Sequence, residues 1–306
     1  MSDVTQNAKY LIGFFISLTG AILFSTKAII VKMAFNRTGV DAVTLLTLRM
    51  LVALPFYIVA AWFSQKRTIA QPLSTKYWLG IISMGIMGYY LSSLFDFIGL
   101  QYVSAGLERL ILFLYPTFAV LINTYLFKSK LSQTQLAALI LTYIGIGVAY
   151  FSEVQTASIG PQFYFGTLMI FLCAITYSFY LVGTGKLVEK AGATRYTAFA
   201  MLAATVGIFS HFIATQHFST ILISQKLIVY ALALGTIATV LPSFLLSFGM
   251  KKIGTNNVSI ITSIGPVSTI IQAHYFLGEK IIPMQIAGTL LVIIGVLLIG
   301  WKNRKG

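Results

Sequence analysis

The sequence predicts an all-α integral membrane protein in which ten transmembrane helices form two inverted five-helix repeats around a central cavity. Three observations lead to this prediction. Of the 306 residues, 58% are hydrophobic and 9% are charged, whereas a soluble domain has about 25% charged residues. Apolar segments long enough to cross a bilayer recur along the chain, and the second half repeats a pattern found in the first.

Each apolar segment has the length of a membrane-spanning helix. Roughly 17 to 25 residues, at about 1.5 Å per residue, cross a hydrocarbon core of about 30 Å. Helices are expected rather than strands, because a helix satisfies its own backbone hydrogen bonds in lipid. The predicted spans are residues 11–35, 42–63, 77–100, 103–127, 135–152, 163–185, 196–214, 227–250, 257–277 and 284–301.

The basic residues predict the orientation of these spans. Fourteen of the 21 lysines and arginines lie in segments on the side of the N-terminus, and three lie on the opposite side. Basic residues in short loops accumulate on the cytoplasmic side of a membrane. We therefore predict a multi-pass protein of the cell (inner) membrane with both termini in the cytoplasm. The net charge of +14 is scattered without a basic helix or arm, so no nucleic-acid partner is expected.

An internal repeat is found when the second half of the chain is laid on the first. Residues 99–150 then align with residues 249–300 without a gap, and ten positions are identical. The identities include prolines and glycines, such as Pro116 with Pro266. Proline and glycine are required by particular backbone conformations and not by apolar character alone, so their identity at equivalent positions is stronger evidence for a repeat.

The repeat predicts two units of five spans, residues 1–155 and residues 156–306, within one integral membrane domain. Because five is an odd number, the second unit must enter the membrane from the side opposite to the first. Inverted repeats of this kind are typical of secondary transporters, in which the substrate site lies between the halves near the midplane. This arrangement favours transport by alternating access.

The last helix pair resembles the EamA-type carriers of the drug/metabolite transporter superfamily. The resemblance is carried by Pro266, the corner Leu277-Gly278-Glu279-Lys280, Gln285, Gly288 and Gly295. At the equivalent corner of the first half, Ser129 stands in place of Glu279, so a role of this acid would not be duplicated. The resemblance implies ten helices, a central cavity and transport of a small metabolite, and it places a family lysine at Lys32.

Five ionisable side chains fall within the first four spans at a similar depth. They are Lys27, Arg49, Asp96, Glu108 and Arg109, roughly 6 to 12 Å below the outer ends of their helices. A charge that faces lipid costs about 2.5–3.5 kcal/mol, so ion pairs or a hydrated cavity are expected. Our hypothesis is a hydrated outer vestibule whose ion pairs form and break during transport. Its surplus of positive charge favours a substrate with an anionic group.

Several of these side chains have alternative explanations. Glu108 would complement the dipole at the start of its helix. Arg109, about 100° further around that helix, cannot share a face with Glu108 and would anchor the helix at the interface. Arg49 is a candidate for a structural ion pair as well as for substrate binding. Asp96 is a candidate for ion pairing as well as for carrying a proton.

Prolines and aromatic residues complete the candidate site. Pro116 has no backbone N–H and frees the carbonyl of Leu112, and Pro266 would cause the same break in the ninth span. Helix breaks of this type line cavities in transporters. The aromatic side chains are candidates to line the cavity, with core packing as the alternative. They are Tyr89, Tyr115 and Tyr177.

These features predict a secondary transporter for a small polar metabolite. An amino acid or a related compound is the expected cargo, exported by a proton-linked or a facilitative mechanism across the lipid bilayer. The sequence has no nucleophile elbow, phosphate-binding glycine loop or histidine-carboxylate metal spacing, so no enzymatic activity, cofactor or metal is expected. An ion or small-solute channel and an integral membrane enzyme acting on a lipid remain as alternatives.

Overall fold

Ten helices contain nearly all the residues that the computed structural model describes, and no strand occurs among these residues. The described residues are 2–67, 73–127, 133–156, 160–215, 223–253, 258, 261–262 and 264–302. The helices of the first half are α1 (Ser2–Thr38), α2 (Ala42–Arg67), α3 (Thr75–Leu100), α4 (Ala105–Leu112 and Tyr115–Phe127) and α5 (Gln133–Thr156). Those of the second half are α6 (Pro161–Ala191), α7 (Ala193–Thr215), α8 (Gln225–Gly235, Thr236–Val240 and Leu241–Ile253), α9 (Gly265–Leu277) and α10 (Pro283–Lys302).

Each predicted span corresponds to one of these helices, which confirms the predicted number of helices for the described residues. Within those residues, seven helices are long and apolar enough to cross a membrane, namely α1 to α4 and α6 to α8. The helices α5 and α10 contain shorter apolar stretches, Leu139–Ser152 and Pro283–Gly295. Most residues just before α9 lie outside the described part of the chain. The helices are those of a multi-pass membrane protein.

The same backbone irregularities recur in the two halves, at positions that the offset of the internal repeat makes equivalent. The helix α3 widens into a π-helical turn at Ile86–Leu91, and α8 does so at Thr236–Val240. A turn at Phe113 and Leu114 interrupts α4, and a turn at Ile264 directly precedes α9. The two halves therefore share local backbone features as well as identical residues.

The two candidate prolines lie next to these interruptions. Pro116 is the second residue of the second segment of α4, and Pro266 is the second residue of α9. Proline is tolerated in the first turn of a helix, because an N–H there has no partner within the helix. The carbonyl of Tyr115 accepts a hydrogen bond from Ser178 Oγ of α6 at 2.8 Å. A neighbouring helix thus satisfies a backbone group beside the break in α4.

The equivalent helices α3 and α8 each pack on helices of the opposite half of the chain. The helix α3 packs on α6 and α7, and its counterpart α8 packs on α1 and α2. Gly85 lies so close to Ala200 of α7 that an added Cβ would overlap the carbonyl group of Ala200. Gly235, the equivalent of Gly85 in the repeat, lies in the same way against Val52 of α2. Such reciprocal contacts are expected of a two-fold relation, and the inversion of the second half across the membrane stays a prediction.

The last helices of the two halves, α5 and α10, pack against each other. At the crossing, a Cβ on Gly145 would overlap the backbone of Gly288, and a Cβ on Gly288 would overlap that of Gly145. In lipid, helices associate through close van der Waals packing, which small residues permit. This pair of glycines therefore joins the two halves of the protein.

Short connections make consecutive helices alternate in direction. We call the end of the bundle at which α1 begins the amino end, and the opposite end the far end. The corner between α6 and α7, at Gly192, lies at the amino end. The corner between α3 and α4, residues 101–104, lies at the far end, as does the corner between α9 and α10, residues 278–282.

Candidate functional site

A buried cluster of three charged residues joins α1, α3 and α4. Lys27 Nζ lies 2.6 Å from Asp96 Oδ2 and 3.8 Å from Glu108 Oε1. Lys27 is 8% exposed, Asp96 is 1% exposed and Glu108 is fully buried. One lysine therefore faces two carboxylates away from water. The three side chains sum to one negative charge when both acids are ionised. We call them the charge cluster.

Local structure positions the two acids. Glu108 lies in the first turn of α4, where Ser104 Oγ accepts a hydrogen bond from Leu107 N at 3.0 Å and so caps the helix. A carboxylate near a helix N-terminus is stabilised by the helix dipole. Asp96 lies about one helical turn after the π-helical turn Ile86–Leu91 of α3. π-Helical turns are rare and occur frequently at functional sites.

Arg109 has different neighbours from Glu108. Its guanidinium carbon lies 5.5 Å from the centre of the Phe24 ring and 5.9 Å from that of the Phe113 ring. The guanidinium group also lies against Gly265 of α9, where an added Cβ would overlap it. The two adjacent charged residues therefore point to different partners, as their separation of about 100° around the helix predicts.

Arg49 of α2 lies where α2, α3 and α8 meet. Its Nε donates a hydrogen bond to Thr239 Oγ1 at 2.9 Å, and its Nη1 donates to Ser93 Oγ at 3.4 Å. The guanidinium carbon lies 5.5 Å from the centre of the Phe97 ring. Arg49 is 6% exposed, and none of the carboxylates in the described part of the chain lies within 4.0 Å of it. Neutral oxygens thus accept the hydrogen bonds of this buried guanidinium.

A second polar contact continues between α2 and α8 toward the amino end. Tyr57 lies about two helical turns after Arg49 on the same face of α2, and Ser243 lies about one turn after Thr239 on α8. The hydroxyl oxygens of Tyr57 and Ser243 are 2.9 Å apart, and Tyr57 is buried. We call these four residues the α2–α8 seam.

The three candidate tyrosines lie in one aromatic row between α3, α4 and α6. The ring centres of Tyr115 and Tyr177 are 5.1 Å apart, and those of Tyr177 and Tyr180 are 5.5 Å apart. Tyr180 also contacts Tyr89, with ring centres 4.9 Å apart and hydroxyl oxygens 2.7 Å apart. The row connects the π-helical turn of α3 with the break in α4.

A cavity of about 880 Å³ opens at the amino end between α2, α8 and the corner that joins α6 to α7. Phe56 and Phe63 of α2 and Phe244 of α8 form apolar walls, and Lys190 and Arg195 lie on the opposite rim. No acidic residue is among the described residues that line it. We call this space the amino-end cavity.

A smaller recess continues from the amino-end cavity toward the seam. Ala60 and Phe244 line both spaces. The recess is also lined by Tyr57 and Ser243, whose hydroxyl groups contact each other. The α2–α8 seam therefore ends at the inner wall of the cavity.

At the far end, Lys32 binds the corner between α3 and α4. Its Nζ donates hydrogen bonds to the carbonyl oxygens of Leu100 at 3.2 Å and of Val103 at 2.6 Å. Carbonyl groups at a helix C-terminus lack partners within the helix, and a cation there is favourable. The lysine that the family resemblance singles out thus holds the end of α3.

Glu279 binds the same corner from the second half. Its Oε1 accepts a hydrogen bond from Ala105 N at 3.0 Å, and its Oε2 accepts one from Gly106 N at 3.4 Å. Gly278, with a φ of 70°, ends α9 in the left-handed conformation and directs the chain so that Glu279 reaches α4. A carboxylate is stabilised by free N–H groups at a helix N-terminus. The equivalent Ser129 lies outside the described residues.

The structure brings some of the sequence-predicted residues together and separates others. Lys27, Asp96 and Glu108 meet in one cluster. Arg109 contacts the same Phe24 ring as Lys27, whereas Arg49 lies apart between α2, α3 and α8. The layer of charges is buried, and the described amino-end cavity opens at the end opposite to the predicted outer vestibule. In this structure, the charge layer is packed between helices rather than exposed.

The partners of Arg49 and Tyr57 on α8, Thr239 and Ser243, are not predicted from the sequence. Thr239 and Ser243 are four residues apart on one helix face, which is the only signal that the sequence offered. Hydroxyl residues at such spacing are common in membrane helices, where they bond back to the helix itself, as Thr205 does to the carbonyl of Met201 at 2.8 Å. Their contact with α2 is a property of packing between the halves.

Comparison with known proteins identifies the family. A sequence model of the EamA-like transporter family matches residues 11–151 and residues 164–301. The uncharacterized transporter YcbK of Bacillus subtilis (strain 168) is 28% identical over 278 residues, which are 89% of this chain and 87% of that protein. An uncharacterized transporter of Archaeoglobus fulgidus is 22% identical over 285 residues, which are 93% of this chain and 96% of that protein.

A solved crystal structure shares the fold. Its TM-score is 0.67 at 18% sequence identity, and the alignment covers 98% of each chain. At this identity the likeness concerns the fold alone. Since the family match extends over most of the sequence and the two relatives are named transporters, this chain belongs to the EamA-like transporter family.

Proposed function

We propose that this transporter works by alternating access and exports a small polar metabolite, an amino acid or a related compound, from the cytoplasm. The observation that carries the proposal is the buried charge cluster of Lys27, Asp96 and Glu108. Ionisable groups within a membrane protein are costly and mark substrate and ion pathways. In a transporter, this cluster is the first candidate for the site that couples a proton to substrate movement.

The charge of the cluster suits proton coupling. One cation and two carboxylates leave one negative charge in excess, and a proton on either carboxylate removes this excess. Charge that is buried without compensation is unfavourable, so uptake of a proton and a change of conformation would be linked. Glu108 lies farther from Lys27 than Asp96 does, 3.8 Å against 2.6 Å. We therefore assign the transported proton to Glu108.

The repeated architecture supports alternating access. Backbone irregularities and helix contacts recur at equivalent positions of the two halves, and packing partners are exchanged between the halves. An inverted repeat would let the same contacts close one end of the site while opening the other. The units that exchange roles in this proposal are residues 1–155 and residues 156–306.

The amino-end cavity has the orientation that loading from the cytoplasm requires. The basic residues of the connecting segments favour a cytoplasmic location for the amino end. The cavity at that end is open, while Lys32 and Glu279 bind the corner between α3 and α4 at the far end. A conformation open to the cytoplasm and closed to the outside is the one that an exporter needs for loading.

Transport by purified protein in liposomes tests the proposal. With a panel of radiolabelled metabolites that includes the amino acids, we expect saturable uptake and counterflow for at least one compound, and faster net transport under a pH gradient. Glu108→Gln should keep counterflow but lose the response to the gradient, because glutamine resembles the protonated acid. Asp41→Asn is the matched control, since Asp41 lies outside the charge cluster and caps α2 through Thr44 N at 2.9 Å, where asparagine caps equally well.

Other outcomes would contradict the proposal or restrict it. Ohmic single-channel currents in planar bilayers, without counterflow, would establish a channel instead of a carrier. Counterflow without any response of the wild-type protein to a pH gradient would exclude proton coupling and establish a facilitative carrier. An unchanged response in Glu108→Gln would show that the proton is carried elsewhere.

A further inference from the structure

We propose that, among the small polar metabolites of the proposed function, the protein takes those that carry both an anionic group and an apolar part, which enter through the amino-end cavity and place their anionic group on Arg49. This inference rests on the proposed function as a carrier and adds the chemical class of the substrate and its route. It is carried by the guanidinium of Arg49, the α2–α8 seam and the composition of the cavity.

Arg49 is a buried cation that lacks an anionic partner at ion-pair distance within the described part of the chain. Two hydrogen bonds hold it, to the neutral oxygens of Thr239 and Ser93. A guanidinium has five N–H donors and binds a carboxylate or a phosphate in a bidentate manner. Asp96 attracts Arg49 from beyond 4.0 Å, but its Oδ2 is already paired with Lys27 at 2.6 Å. Arg49 therefore keeps N–H donors for a ligand.

The seam lies between the cavity and Arg49. On α2, Arg49, Ala53 and Tyr57 share one helix face, and Ala53 is fully buried in the hydrophobic core. Tyr57 and Ser243 meet at 2.9 Å between the recess and Arg49. This hydrogen bond closes the seam, and about 12 Å along α2 separates Tyr57 from Arg49. In the proposed transport cycle, α2 and α8 separate along this stretch, so that the cavity and the guanidinium become connected.

The cavity has the composition expected for an amphipathic anion. Lys190 and Arg195 supply positive charge at its rim, and no acidic residue is present among its described lining residues. Phe56, Phe63 and Phe244 form apolar walls. Arg195 lies over the Trp78 ring at 5.4 Å, and its buried Nε has no hydrogen-bond acceptor among the residues that the structure describes. Cations at the rim attract an anion, and the aromatic walls bind its apolar body.

Binding of radiolabelled phenylbutyrate to the purified protein in detergent tests the inference. We expect saturable binding, with phenylbutylamine and butyrate competing at least about tenfold more weakly, because each lacks either the anionic group or the apolar body. Arg49→Gln should weaken binding about 10- to 100-fold, and Arg49→Lys should restore part of it. Arg37→Gln is the matched control, since Arg37 is exposed at the end of α1.

A second pair of variants tests the route without changing charge. Ala60→Trp would fill the junction of the cavity and the recess, so we expect loss of phenylbutyrate binding. Ile58→Trp places the same side chain on an exposed part of α2 that lines neither space, and this variant should bind normally. Both variants are first compared with the wild-type protein by gel filtration and thermal unfolding.

Several results would overturn the inference. They are the absence of phenylbutyrate binding to the wild-type protein, equal competition by phenylbutylamine, and unchanged binding in both Arg49→Gln and Ala60→Trp. Because binding is measured without transport, these results leave counterflow of the metabolite panel as an independent test. Loss of counterflow with intact anion binding would contradict the proposed carrier and not the anion site.

Discussion

Lys27 Nζ of α1 lies 2.6 Å from Asp96 Oδ2 of α3, and both side chains are buried in the helix bundle. The ion pair links two helices that are not consecutive in the chain. Removing one partner of such a pair leaves an uncompensated charge, whereas removing both does not. This relationship allows a role in stability to be separated from a role in transport.

In a Glu108→Gln background, we expect Asp96→Leu to lower the free energy of unfolding by about 3–5 kcal/mol. The reason is that Lys27 then remains as an unpaired buried cation. Adding Lys27→Met should recover most of this loss, while metabolite transport stays impaired. Unfolding in mixed micelles and counterflow in liposomes measure the two effects. Losses that simply add when the two substitutions are combined would show that the pair is not coupled.

Glu279→Gln should lower the free energy of unfolding by about 0.5–2 kcal/mol, because a neutral amide caps the start of α4 less well than a carboxylate. The neighbouring Lys280→Gln serves as the control, since Lys280 is exposed. Denaturation of both variants under the same conditions provides the measurement. Equal stability of the two would mean that the contact with Ala105 and Gly106 contributes nothing measurable.

Gly145→Leu should destabilise the protein by about 1–3 kcal/mol or more, because the side chain would separate α5 from α10 at the backbone contact with Gly288. Gly147→Ala on the same helix should be neutral or slightly stabilising. None of the described atoms lies within 4 Å of a Cβ placed there, and alanine favours the helix. Thermal unfolding in detergent distinguishes the two variants. Similar losses at both positions would contradict the crossing.

The inverted repeat predicts that equivalent residues lie on opposite sides of the membrane. Thr75 and Gln225 are equivalent in the repeat, and both are exposed at the start of their helices α3 and α8. In a Cys173→Ala background, Thr75→Cys should react with a membrane-impermeant maleimide only from the cytoplasmic side. Gln225→Cys should react only from the outside. Labelling of both from one side would exclude the inversion.

Much of the fold follows from local properties of the chain. The ten helices were predicted within a few residues of their observed ends, apart from the end of α6 and the amino end of α1. Most residues at the predicted start of the ninth span lie outside the described part of the chain, and Val258, Ile261 and Thr262 within that span are helical. A run of apolar residues must form hydrogen-bonded helix in lipid whatever surrounds it. The similar depth of Lys27, Asp96 and Glu108 could also be predicted from the sequence, because each residue advances a helix by about 1.5 Å.

The contacts between helices could not be predicted from the properties of each helix alone. Equal depth grouped Arg49 and Arg109 with the charge cluster, yet Arg49 binds Thr239 of the second half and Arg109 lies against Gly265. Glu279 belongs to the residues that carry the family resemblance, but the sequence does not indicate that its carboxylate binds the start of α4. Each of these contacts joins one half of the chain to the other.

The sequence by itself determined the number of helices, the positions of the proline breaks and the depth of the charges within the spans. These properties depend on each helix alone. Only the tertiary structure decided that Lys27 pairs with Asp96 and Glu108, and that Arg49 lies on a seam leading to the amino-end cavity. The physical reason is that the rotation of a helix about its axis, and the choice of its neighbours, are set by the packing of all the other helices together.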